Sequence, residues 1–142
     1  VKTDAISPIV WMDVLETGVQ ALDEDHRALI GQCNTLTALM EGGGTWNEVV
    51  DAARRLAEKC GEHFRSEEAF LDQAEFPRRE RHKAQHREME RRFSELVGFL
   101  AGVDGSSPEH RKAAQAVRGT LIDILFRHDL DYKSHIQHVA GR

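Results

Sequence analysis

A chain of 142 residues with a formal charge of −5 and a pI near 5.9 is one domain with room for a hydrophobic core, and it lacks the basic surplus of a nucleic-acid binder. No apolar run approaches the ~18–20 residues that span a bilayer, so neither nucleic acid nor membrane is an expected partner. The start, Val1-Lys2-Thr3-Asp4, has no apolar stretch of the signal-peptide kind; the expected location is cytoplasmic, and the absent Met suggests a trimmed start or a domain of a longer protein.

Three prolines, few β-branched runs and long 3–4 periodicities predict an all-α chain. Residues 1–19, with Trp11 and Met12, read as an arm packed across the domain. The first helix is expected over 21–41, with an inner stripe of His26, Leu29 or Ile30, Cys33, Leu36 or Thr37, and Met40. Gly42-Gly43-Gly44 stops it, because three glycines lose too much backbone entropy in a helix. Thr45-Trp46-Asn47-Glu48 is a capping box that starts the second helix. Its stripe is Val49, Ala53, Leu56, Cys60, His63, Glu67 and Phe70.

Phe76-Pro77 breaks the chain before a third helix over 78–101, whose stripe is His82, His86, Met89, Phe93, Leu96 and Leu100. After a loop over 102–107, Ser107-Pro108 supplies an N-cap and a first-turn proline for the fourth helix. Its stripe is Ala114, Val117, Leu121, Ile124, His128 and Asp131. Short connections between four amphipathic helices predict an up-down-up-down antiparallel four-helix bundle. Arg54, Arg55, Arg91 and Arg92 fall on the outer faces, and Cys33 and Cys60 read as buried free thiols in a reducing compartment.

Two pairs carry the chemistry: His63-Phe64-Arg65-Ser66-Glu67 and His82-Lys83-Ala84-Gln85-His86. Residues four apart project from one face of a helix, and both pairs are in phase with the apolar stripes. One inward histidine is usually a hydrogen-bonded core residue. Four histidines and a glutamate on three inner faces are different, since burying them without partners costs several kcal/mol each. A metal accounts for them. His26, His63, His82 and His86 supply four nitrogens, and Glu67 with one Asp supplies four oxygens if both bridge. Eight donors exceed one octahedral ion and suit two ions sharing carboxylates, with iron, manganese or zinc all compatible.

Trp11, Thr17-Gly18-Val19, Leu22-Asp23-Glu24-Asp25-His26, His63-Phe64 with Glu67-Glu68, Phe76-Pro77, His82, His86 and the ending Asp129-Leu130-Asp131-Tyr132-Lys133-Ser134-His135-Ile136 together resemble the hemerythrin family, particularly its bacterial members. The resemblance implies one hemerythrin-like domain over 1–142 holding a non-haem di-iron centre with an oxo or hydroxo bridge. His26 and His63 would hold one iron, with a position open to dioxygen. His82 and His86 would hold the other, and Glu67 and Asp129 would bridge. The expected ligand is dioxygen or another small diatomic or peroxide, and the expected role is storage, delivery or sensing.

One position departs from the family pattern. The last helix usually carries a histidine five residues before the bridging Asp, and the gapless alignment on Asp129 and Tyr132 puts Ile124 there. His128 stands one turn on, ~6 Å along the axis and ~40° around it. Aligning His128 on the ligand instead shifts the bridge to Asp129 or Asp131. Under the gapless alignment His128 substitutes as a ligand, water completes that iron, or that metal binds weakly. An unsaturated iron there would favour peroxide or nitric oxide chemistry and faster autoxidation. The alternatives to oxygen binding are therefore a di-iron oxidoreductase acting on peroxide, nitric oxide or ferrous iron, and an input domain of a longer signalling protein. Glu68 is expected beside the site or at the surface, and His110 far from it. His135, His138 and Tyr132 take no assigned role, and the oligomeric state is left open.

Overall fold

The computed structural model describes residues 9–102 and 108–123. Four helices form in chain order: α1 over Gln20–Ala38, α2 over Trp46–Gln73, α3 over Arg79–Ala101 and α4 over Pro108–Asp123. Each helix packs against the next, and α4 closes against α1, which makes a four-helix bundle. No strand occurs among the described residues, and no described helix is long and apolar enough to cross a membrane.

The described part of the arm is tied down both by burial of Ile9 and Leu15 in the core and by polar groups. Asn34 on α1 exchanges two hydrogen bonds with Ile9, accepting its N–H at 2.8 Å and donating to its carbonyl at 2.9 Å. Ile9 is buried, Trp11 is half-buried with the Arg27 guanidinium 4.4 Å above its ring, and Met12 is exposed instead of packed. Gly18 turns the chain with φ +89°. The Asp23 carboxylate then accepts from the Thr17 and Gly18 N–H groups and the Thr17 hydroxyl. That buried carboxylate locks the entry to α1 and sits favourably near the positive end of the helix.

α1 ends three residues earlier than expected. A single π turn, Leu39–Gly43, follows it, and Gly42 at φ +109° turns the chain out of the helix. The second helix begins as the capping box dictates: the Thr45 side chain accepts from the Glu48 N–H, and the Glu48 carboxylate accepts from the Thr45 N–H. At the other end of α2, the Phe76 N–H reaches the Leu71 carbonyl and the Glu75 N–H reaches that of Asp72. These are the two bonds of a Schellman closure. Glu75 takes its left-handed position at φ +53°.

The core has two parts. The larger runs along the bundle through Leu36, Leu56, Phe93, Leu100 and Leu121. A small second cluster of Leu22, Leu71 and Phe76 closes the end where α2 turns into α3. Among the described residues the expected stripes are otherwise buried, with two shifts: Leu71 replaces Phe70 as the core residue of the last turn of α2, and Leu96 is half-buried. Cys33 and Cys60 are buried, and burial pushes the Cys33 thiol up to about 11 against the lowering effect of Arg118. The expectations for Ser107, Ile124, His128, Asp129, Asp131, Tyr132, His135 and His138 lie outside the described residues.

Candidate metal centre

The two apolar clusters leave a polar layer between them. Leu22 is one turn before His26, Leu71 is one turn after Glu67, and Phe76 packs edge-on to the His82 ring. α1 therefore supplies His26, α2 supplies His63 and Glu67, and α3 supplies His82 and His86 to one level of the bundle. All five side chains are at most 2 % exposed.

Glu67 is the hub. Its Oε2 lies 2.9 Å from His63 Nε2 and 3.9 Å from His26 Nε2. Its Oε1 lies 2.5 Å from His82 Nε2 and 3.0 Å from His86 Nε2. One oxygen faces each pair of rings. His26 and His63 meet edge-on with their Nε2 atoms 3.0 Å apart, and His82 meets His86 in the same way, with centroids 4.5 Å apart. Two groups of donors result, His26 with His63 and Glu67, and Glu67 with His82 and His86. Within each group the ligand atoms lie within 4.8 Å of one another.

Burial alone would push the Glu67 carboxyl up. Hydrogen bonds from His63, His82 and His86, with the His26 ring close by, outweigh it and hold the carboxyl well below the usual carboxylate range. The site thus keeps a buried anion facing four imidazole nitrogens. Imidazole and carboxylate donors in that ratio suit borderline divalent ions of the iron, manganese and zinc type.

A further ring of contacts holds the histidines. Glu68 is buried instead of lying at the surface. Its Oε2 lies 2.9 Å from His86 Nδ1, and Arg87 grips both its oxygens at 2.7 and 3.1 Å. Burial raises the Glu68 carboxyl, but the hydrogen bonds from Arg87 and His86 win and lower it. Asp25 stands 3.4 Å from His63 Nδ1. Phe64 stacks on His86 with centroids 4.1 Å apart. Glu68 thus takes the first of its two expected places, beside the site, and Asp25, which the sequence reading left out, carries the same signal. Each adjoins an inward donor, His26 or Glu67, and a neighbour ~100° around a helix flanks the donor's face and reaches the next helix.

The other candidates fall elsewhere. His110 is at the opposite end of the bundle, between Trp46 and Phe99. From His110 to Asp123, α4 rises ~20 Å, the same span as Phe99 back to His86 on α3, so its described part leads back toward the polar layer. Asp129 and His128 lie outside the described residues.

A profile of the family described as Hemerythrin HHE cation binding domain matches residues 17–136. A bacteriohemerythrin of Pseudomonas paraeruginosa is 28 % identical over 135 residues, covering 92 % of this chain and 82 % of its own. Myohemerythrin-1 of Phascolopsis gouldii is 26 % identical over 109 residues, covering 77 % of this chain and 83 % of its own. A bacteriohemerythrin of Stenotrophomonas maltophilia is 31 % identical over 103 residues, covering 68 % and 63 %. A match over this length, together with a helical bundle that gathers His26, His63, Glu67, His82 and His86 into one buried layer, makes the chain a member of the hemerythrin family.

Proposed function

We propose that this chain is a single hemerythrin-like domain, with residues 1–19 as its arm, that holds two iron ions and binds dioxygen reversibly. His26 and His63 would hold one ion and His82 and His86 the other, with Glu67 presenting one oxygen to each histidine pair. The resemblance adds Asp129 as a second bridging carboxylate and leaves His128 as the residue nearest to the family's last histidine, whose usual place is Ile124. The observation that carries the reading is the division of Glu67: two oxygens, each facing a separate pair of imidazole nitrogens.

A ferrous pair, when bound, supplies two electrons that dioxygen can take up and return. The chain's own residues set the conditions for return. Leu22, Leu71 and Phe76 close one side of the polar layer, the main core closes the other, and Phe64 covers the face of His86. Such walls exclude water and protons, whose entry would make the oxidation irreversible. Glu67, held anionic, supplies negative charge that a cation pair needs in a dry site.

The test is iron loading without oxygen, followed by metal analysis and visible spectroscopy. Two irons per chain are expected, with an absorption band that appears on oxygenation and fades when oxygen is removed. His63→Ala and His86→Ala should each lower the content toward one iron. One ion per wild-type chain, or a band that never reverses, would overturn the reading.

A further inference from the structure

His86 and His63, one from each pair, meet unequal carboxylates at Nδ1. On α3, His86 Nδ1 meets Glu68 Oε2 at 2.9 Å. The Glu68 side chain is 9 % exposed, Arg87 grips it through both oxygens, and Arg65 approaches at 3.4 Å. Arg65 and Arg87 in turn share Glu90. On α2, His63 Nδ1 meets Asp25 Oδ2 at 3.4 Å, and Asp25 is 41 % exposed. A short contact to a buried carboxylate locked by a two-point arginine fork is stronger and more directional than a long contact to a solvated one.

We propose that Glu68 is a positioning residue for His86, and that it makes the His82–His86 half of the centre the tighter of the two. An anionic acceptor at Nδ1 requires the proton there, because an unprotonated Nδ1 would set a lone pair against a carboxylate. The other nitrogen, Nε2, lies 3.0 Å from Glu67 Oε1 and is the one that would give its lone pair to an ion once one is bound. The charge at Glu68 also raises the basicity of that nitrogen. Arg87 is what lets Glu68 act, since it fixes the carboxylate's plane from the solvent side. Under the gapless alignment this half of the centre is also the one whose usual last-helix histidine is replaced by Ile124. Glu68 thus strengthens a ligand where the ligand set is short. The proposal rests on the assignment of His82 and His86 as metal ligands.

The experiment uses Co2+ as a spectroscopic probe on the full chain, with wild type, Glu68→Ala, Glu68→Gln and Asp25→Ala. Glu68→Ala should weaken one of two Co2+ binding steps about 10- to 100-fold and shift the visible bands of that ion. Gln keeps an oxygen acceptor without the charge, so Glu68→Gln should recover part of the loss. Asp25→Ala should weaken the other step by less than Glu68→Ala weakens its own. In the Zn2+-loaded protein, nitrogen NMR of the imidazoles should place the His86 proton on Nδ1. Unchanged affinity and spectrum in folded Glu68→Ala and Glu68→Gln, or a His86 proton on Nε2, would overturn the proposal. If Glu68→Ala does not fold, Glu68→Gln and the NMR assignment decide alone. A His82→Ala, His86→Ala double variant that still takes up two Co2+ would remove the ligand assignment itself, and the role of Glu68 with it.

Discussion

Glu67 shows how one side chain can organise a site through two atoms. Its burial opposes charge, yet four imidazoles turn the balance and keep it anionic. Glu68, the next residue, meets the other nitrogen of His86 and adds Arg87 and Arg65 as partners. Its ionisation lies below the ordinary 4.5, because Arg87 and His86 outweigh burial. A lowered folded value means that the carboxylate's contribution is complete above the unfolded value and fades as pH falls through the folded one. In the metal-free protein, Glu68→Gln should therefore cost about 1 kcal/mol at pH 7, with the gap to wild type narrowing as pH drops below 4.5. Urea titrations across that range would show it; a gap that stays constant with pH would contradict the assignment.

At the scale of elements, α2 is the spine of the site. It carries both His63 and Glu67, and its two ends are set by local chemistry: the Thr45–Glu48 capping box at one and the Schellman closure at the other. That closure places a non-glycine residue, Glu75, in the left-handed region, where a Cβ costs about 1 kcal/mol. Glu75→Gly should stabilise the protein by up to about 1 kcal/mol without moving Phe76, whose contact with Leu71 seals the polar layer. A rise in melting temperature with an unchanged metal content is the expected result. A fall would mean that the Glu75 side chain contributes more than its backbone strain takes away.

For the whole molecule, the division of the core separates stability from the site. Phe93 is 1 % exposed and belongs to the large cluster, away from the Leu22–Leu71–Phe76 seal. Phe93→Ala should cost about 3–5 kcal/mol while a protein still folded at low temperature binds the same number of ions. Calorimetry and metal analysis on the same sample would check both. Loss of metal at a temperature where the helices persist would show that the two parts of the core are coupled.

The helices, their capping box, the glycine stop and the inward phase of His26, His63, Glu67, His82 and His86 were all legible in the sequence. Helical periodicity and end chemistry are local, and a residue's phase follows from counting. The length of α1 was less legible, because the π turn at Leu39–Gly43 keeps the helical pattern while ending the α-helix. Phe70 against Leu71 was misread for a related reason: both lie near the inner face, and only the neighbouring Leu22 and Phe76 decide which one packs. What the tertiary structure alone decided is how donors from three helices share one carboxylate, and which histidine gains a buried acceptor. Those depend on distances between helices, and the spacing of residues along one helix carries no information about the gap to the next.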